Sequence, residues 1–205
     1  MEPLFCATTA AVFAAGYALG CLNAGYYLVR LTRRRDVRES GSHGTGATNV
    51  GRMLGKGGFV LTLLLDAGKG AAAIALAWQF ELGPAAQWAV AFGVVLGHIW
   101  PMQLRFCGGR GVATWIGVMA MLDAVLLLVT GIVTLIALRP LGRFTLAGLL
   151  GIAIVPIAAL VLARDLEVVA GTTALLAIVG IAHRPHLRRQ VRSPDGNSNA
   201  LHVEP

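Results

Sequence analysis

Residues 57–80 read GGFVLTLLLDAGKGAAAIALAWQF, an apolar run of membrane-spanning length whose only charges are Asp66 and Lys69. About 20 such residues carry a helix across a bilayer, so the stretch reads as a transmembrane helix. Spaced i and i+3, Asp66 and Lys69 share one helical face, where they pair with each other or with groups lining a cavity. The alternative is a lysine that snorkels toward the membrane surface with Asp66 as its compensating partner. In both cases the pair faces the interior of a helix bundle.

The rest of the chain has the same character. Hydrophobic residues make up 56% of it and charged residues 13%, with a mean hydropathy of +0.70, far from the balance of a soluble domain. Further apolar runs lie at Leu4–Leu31, Pro84–Leu104, Gly111–Leu122, Ala124–Leu138, Phe144–Ala163 and Val168–Ala182. The two short runs on either side of Asp123 form one kinked span or two spans with a tight turn, and charge decides for two. With seven spans, fifteen of the seventeen Lys and Arg residues fall in alternate connections, whereas the opposite loops hold Arg164 beside Asp165 and Glu167, with Glu2, Glu81 and Asp123. The positive-inside rule then puts the N-terminus outside and the tail in the cytoplasm, and a six-span arrangement breaks the asymmetry. The expected fold is all-α: a polytopic integral membrane helix bundle of about seven transmembrane helices.

The organisation follows as one transmembrane domain over residues 1–182, with cytoplasmic loops at 32–56 and 105–111, and a basic cytoplasmic tail at 183–205. The tail's end, Ser193–Pro205, has the composition of a disordered segment. The first apolar run lacks a basic segment before it and is long enough to span, so it reads as a retained helix. Gly16 and Gly20, like Gly93 and Gly97, have the spacing that lets helices approach closely, here within one bundle.

A net charge of +7 raises the question of nucleic acid. The arginines sit at membrane ends without a soluble basic face or interleaved aromatics, so no nucleic-acid partner is expected and anionic membrane lipid is the simpler one. Cys6, Cys21 and Cys107 have neither paired nor metal-ligand spacing and read as buried small apolar residues, with no disulfide and no zinc. The glycines around Lys69 lack the spacing of a nucleotide-binding loop, and HExxH, GxSxG and HxxxxD signatures are absent.

Chemistry concentrates in the connections. Ser40–Arg52, SGSHGTGATNVGR, is rich in glycine and hydroxyls and lies between two apolar runs. Glycines let successive N–H groups converge on phosphate oxygens, Ser42, Thr45 and Thr48 add hydroxyls, and Arg52 adds a fixed positive charge. A second turn, Gly108–Gly109–Arg110–Gly111, precedes a helix N-terminus and suits a second anion, although alone it is a weak signal. His98 stands near the end of the third span, where a structural role is the simpler reading, and Trp100 reads as an interfacial anchor. His183, Arg184 and His186 follow the last span, within reach of both glycine loops. Either histidine can donate a hydrogen bond or move a proton, and a basic juxtamembrane tail is the plainer alternative.

These residues together resemble the PlsY family of bacterial acyl-phosphate-dependent glycerol-3-phosphate acyltransferases. The resemblance runs over nearly the whole chain: LeuGlyCys near residue 20, SGSHGTGATNVGR at 40–52, LLLDAGKG at 63–70, GHIWP at 97–101 and GGRGVAT at 108–114. It implies a seven-helix enzyme of the bacterial inner membrane with a cytoplasm-facing site. The implied reaction moves a fatty acyl group from acyl phosphate to the 1-hydroxyl of sn-glycerol 3-phosphate, giving lysophosphatidic acid and phosphate without cofactor or metal. By position, Ser42, Arg52, Arg110 and His183 would be catalytic, while Gly44, Gly46, Thr48, Asn49, Lys69, His98, Gly108, Gly109 and His186 would bind substrate.

The chain departs from the family pattern at three places. His43 and Gly44 stand where GSGNxGATN has glycine and asparagine; Phe106–Gly111 replaces both lysines of FKGGKG, leaving Arg110; and Ala182, His183 and His186 only partly match RHxxNI. Competing expectations are an acyltransferase with another phosphorylated acceptor, and a non-enzymatic membrane protein or transporter that kept the scaffold. Transport would require polar residues along a through-path, whereas here they cluster toward one face.

Overall fold

The computed structural model describes the backbone of residues 2–192 and the side chains of residues 7–185. The regular elements are the helices α1 (Glu2–Gly20), α2 (Ala24–Arg33), α3 (Ala47–Gln79), α4 (Pro84–Ile99), α5 (Val112–Leu122), α6 (Ala124–Leu141), α7 (Phe144–Ala153), α8 (Val155–Val161) and α9 (Leu166–Arg192), with short 3-10 turns at Val37–Glu39 and Met102–Leu104. Six stretches are long and apolar enough to cross a membrane, and α5 is an apolar helix of lesser length. The all-helical membrane bundle expected from the sequence is present, with α5 as its short member. Ser193–Pro205, expected to be disordered, lies outside the described residues.

The glycine pairs explain the tightest helix contact. A side chain at Gly97 would collide with the Tyr17 carbonyl, one at Gly20 with the Val94 carbonyl, and one at Gly93 with the Phe13 carbonyl. The two glycine motifs thus face each other and bring the backbones of α1 and α4 into direct contact, as van der Waals packing between membrane helices requires. Gly117 and Gly70 do the same for α5 and α3, against the Ala67 and Thr114 carbonyls. Enclosed in this way, α5 buries Trp115 and Met119 completely, beside Ile74, Leu126 and Leu175. At 11 residues it is about 16 Å long, roughly half the hydrocarbon core. A helix surrounded by protein need not match the bilayer's thickness.

Three boundaries differ from the sequence reading. The run Leu4–Leu31 breaks between α1 and α2, because the Asn23 side chain turns inward and is fully buried. The second half of the first loop is helical: α3 begins at Ala47, and a break at Gly55 (φ +73°) separates this opening segment from the spanning part. Val50 on that segment packs with Val29 and Val37 in a small apolar cluster apart from the main core, which gives the segment a buried face that the glycine-rich sequence disguised. The run Phe144–Ala163 is interrupted at Ile154, one residue before α8, whose first turn carries Pro156; proline lacks an N–H to donate and sits best in a first turn. Cys107, expected to be buried, is exposed on the loop before Gly108, while Cys21 is buried.

The connections alternate between two ends of the bundle. At one end Asp123 caps α6 by accepting the N–H groups of Val125 (3.0 Å) and Leu126 (3.1 Å), and its carboxylate lies 2.8 Å from Arg164 Nε. The loops at 123 and 164 therefore meet. At the opposite end the first loop meets the loop at 104–111 and the end of α9, which brings three of the basic segments together.

Candidate active site

The first loop is organised by groups that do not face solvent. Asn49, 1% exposed, donates from its amide to the carbonyls of Val37 (2.8 Å), Gly44 (2.9 Å) and Ser40 (3.0 Å), and its Oδ1 accepts the Ser42 N–H at 3.0 Å. Thr45 Oγ1 donates to Asn23 Oδ1 at 2.6 Å, and Asn23 Nδ2 donates to the Cys21 carbonyl at 3.2 Å. The break between α1 and α2 thus exists to hold the loop. Asp36 accepts the Arg38 N–H at 2.9 Å and pairs with the Arg38 guanidinium at 2.6 Å. That hydrogen bond holds the Asp36 carboxyl below the usual carboxylate range and raises Arg38. Arg38 also donates to the Leu104 carbonyl at 2.7 Å and lies 5.3 Å from the Tyr26 ring centroid, so it fastens the first loop to the second and to α2.

The second loop folds back along α4. The N–H groups of Gly108 and Gly109 donate to the carbonyls of Ile99 and His98, both at 3.0 Å, which returns the glycine turn to the level of His98. Gly111 then caps α5 with φ +85°, in the left-handed region that favours glycine. A side chain at Gly109 would strike the His98 ring. The two loops are joined directly: the Thr45 N–H donates to the Gly108 carbonyl at 3.2 Å, and Arg110 Nη2 reaches the Ser42 carbonyl at 3.5 Å. The openings of α3 and α5 therefore start from loops in contact. Each helix N-terminus leaves N–H groups without intrahelical partners and carries partial positive charge, a geometry suited to receiving anions between the two loops.

Behind these loops sits a buried charge cluster. Lys69 Nζ lies 2.9 Å from Asp66 Oδ1 and 2.9 Å from His98 Nδ1, and donates to the carbonyls of Gly20 (3.0 Å) and Leu22 (2.8 Å). His98 Nδ1 is 3.5 Å from Asp66 Oδ1. Asp66 is 1% and Lys69 8% exposed. Both Asp66 oxygens lack an aligned hydrogen bond, so the carboxylate is held by charge. An ammonium has three protons, and this one already faces four acceptors. The pair expected on one helical face is formed and points inward, closing the C-terminal end of α1 and supporting His98 beneath Gly109.

The sequence-predicted residues divide accordingly. Ser42, Gly44, Gly46 and Thr48 lie on or beside the loop that contacts Gly108, Gly109 and Arg110, and the Arg52 guanidinium lies alongside Gly41. His183 is buried on α9, donates from Nδ1 to the Val179 carbonyl at 2.8 Å, and has Arg110 as its charged neighbour. That tautomer leaves Nε2 as an acceptor. Three residues expected on substrate have internal partners: the Asn49 amide bonds the loop, and Lys69 and His98 lie against each other and Asp66. Each is internal because its polar atoms are needed to satisfy buried backbone or charge. The His186 side chain lies outside the described residues. The Thr45 hydroxyl, expected on the anion, is buried and donates to Asn23 Oδ1 instead; Asn23, Asp36 and Arg38 carry structural roles that the sequence reading missed.

Known proteins align with this arrangement. The family model described as glycerol-3-phosphate acyltransferase matches residues 10–193. Glycerol-3-phosphate acyltransferase 1 of Desulfitobacterium hafniense is 45% identical over 175 residues, covering 85% of this chain and 87% of its own. The glycerol-3-phosphate acyltransferase of Rhizobium meliloti is 41% identical over 186 residues, covering 89% and 88%. Among solved structures, PlsY (YgiH), an integral membrane glycerol 3-phosphate acyltransferase, in its glycerol 3-phosphate form superposes with a TM-score of 0.82 at 27% identity, covering 90% of this chain and 92% of that one. Its lysophosphatidic acid form gives 0.78 at 26% identity, with the same coverage. With these relatives matching along nearly its whole length, the chain belongs to the glycerol-3-phosphate acyltransferase family and is an integral membrane acyltransferase.

Proposed function

We propose that this protein transfers a fatty acyl group from acyl phosphate to the 1-hydroxyl of sn-glycerol 3-phosphate at the cytoplasmic face of the bacterial inner membrane, forming lysophosphatidic acid and inorganic phosphate. The observation that carries the reading is the Thr45–Gly108 hydrogen bond, which makes one site of two anion-binding loops. Two phosphate-bearing reactants need such a double cradle. The neighbour solved in glycerol 3-phosphate and lysophosphatidic acid forms supports the acceptor and the product.

In this reading the acceptor oxygen attacks the acyl carbonyl carbon, the bond from that carbon to the phosphate oxygen breaks, and phosphate leaves with the electron pair. Positioning and charge do most of the work, because a mixed anhydride already has a good leaving group. Arg52 and the opening of α3 hold one phosphate, and Arg110 with the opening of α5 holds the other. The Ser42 hydroxyl and the Thr48 hydroxyl complete the first cradle, with Gly44, Gly46, Gly108 and Gly109 supplying bare backbone. The hydroxyl proton passes to His183 Nε2 and from there to the departing phosphate. Asn49, Lys69 and His98 act as positioning residues. The charge asymmetry supports an outward N-terminus and a cytoplasmic tail.

Purified protein given long-chain acyl phosphate and glycerol 3-phosphate should form lysophosphatidic acid, with acyl-CoA and other phosphorylated acceptors run in parallel. Arg52→Ala and Arg110→Ala should each lose at least about 100-fold in kcat/KM, as for loss of a group that binds developing charge. Folded protein that turns over only another acceptor would replace the substrate assignment. No turnover with any acceptor would remove the proposal.

A further inference from the structure

Helix α2 presents three faces. Gly25 and Val29 are buried, with the Gly25 backbone against the Thr45 carbonyl and the Val50 side chain. Leu28 is half-buried against the Val29–Val37–Val50 cluster, whereas Tyr27 and Leu31, i and i+4, face outward at 39% and 80% exposure. The third stripe holds Tyr26, Arg30 and Arg33, and Arg34 follows as the left-handed C-cap. Residues 24–35 contain four arginines, all exposed, and no acidic residue. A helix of 10 residues is about 15 Å long, too short to cross a bilayer. An apolar stripe beside a row of arginines is the pattern of a helix lying in the headgroup region, and its charge complements phosphate headgroups.

This helix is tied to the site through its N-terminal end. Asn23, which precedes it, accepts the Thr45 hydroxyl at 2.6 Å, and Tyr26 lies under the Arg38 guanidinium that bonds the Leu104 carbonyl. Thr45 in turn holds Gly108. A shift of α2 is therefore transmitted to both anion loops.

We propose that α2 is a docking surface for anionic phospholipid, with Arg30, Arg33, Arg34 and Arg35 on the lipid phosphates and Tyr27 and Leu31 among the acyl chains, and that this contact keeps the first loop in register with Gly108–Arg110. The inference rests on the reading that the site lies at this end of the bundle, and its test does not depend on turnover. Full-length protein in nanodiscs of phosphatidylcholine alone, or of phosphatidylcholine with phosphatidylglycerol, is digested with trypsin. Cleavage after Arg30–Arg35 should be several-fold slower with phosphatidylglycerol, while soluble glycerol phosphate or inorganic phosphate added to phosphatidylcholine discs should leave it unchanged. Equal cleavage in the two lipids, or equal protection by the soluble anions, would overturn the proposal. Acyl transfer should be several-fold faster with phosphatidylglycerol, and the R30Q/R33Q/R34Q/R35Q variant should show the phosphatidylcholine rate in both lipids. A variant that keeps the native lipid dependence would equally overturn it. Absence of turnover in every disc would count against the acyl-transfer reading and leave the proteolysis result to decide this one.

Discussion

His43 holds a left-handed backbone (φ +56°) at the place where the family pattern has glycine. A side chain there costs roughly 1–2 kcal/mol, and the His43 Nδ1 bond to the Arg38 carbonyl, 3.0 Å, offsets part of it. His43→Gly should therefore retain activity with a change in stability below about 1 kcal/mol, whereas His43→Ala loses the bond but keeps the strain and should lower the unfolding midpoint in detergent. At Gly109 an added methyl meets the His98 ring. Gly109→Ala should displace the second loop and cut kcat on the order of 100-fold, a loss that steady-state kinetics would measure. Asp36 offers a pH test. Its folded pKa is depressed by the Arg38 hydrogen bond, so its contribution is complete above the unfolded value of about 3.9 and fades as pH falls through the lower folded value. The hydrogen-exchange protection factors of residues 36–46, taken relative to intrinsic rates at each pH, should fall below about pH 4, and Asp36→Asn should remove that acid dependence.

The elements are joined by a few contacts that tolerate little change. In α3 the Asp66–Lys69 pair is 2.9 Å apart and nearly solvent-free. Removing one partner leaves an uncompensated buried charge, so Lys69→Met should cost about 3–5 kcal/mol. The Asp66→Asn/Lys69→Met double variant should be no less stable than Lys69→Met, as measured by thermal unfolding in detergent; additive losses would mean that the two act independently. Between α1 and α4 the approach is set by backbone on backbone. Gly97→Ala places a methyl against the Tyr17 carbonyl and should destabilise by about 1–3 kcal/mol as overpacking, with the same assay as readout. Such contacts were half legible in the sequence. Both GxxxG spacings could be read, but that they pair with each other is a matter of which helices become neighbours.

At the scale of the molecule, two ends and alternating connections define the arrangement. Single cysteines at Ser42 and Arg164 should be labelled by an impermeant maleimide from opposite sides of intact membrane vesicles; labelling from one side would reject the seven-span arrangement. The bundle was legible because hydrophobic runs and arginine placement are linear properties: a run of about 20 apolar residues has few alternatives in a bilayer, and the charge bias is counted loop by loop. The glycines and hydroxyls of Ser40–Arg52 are equally linear, and they single out this loop as the one to test for anion binding. The Asp66–Lys69 pairing and a structural His98 were readable from helical spacing and position, but the partners of Asn49 and the junction of Lys69 with His98 were not, because they depend on which segments become neighbours. By itself the sequence determined a membrane helix bundle and, through its ordered motifs, the acyltransferase family. Only the tertiary structure decided that α1 and α2 separate at Asn23, that Thr45 joins the two loops, and that the Asp66–Lys69–His98 cluster lies behind the site. Those outcomes depend on satisfying buried polar groups among segments tens of residues apart, and no local pattern encodes which of them meet.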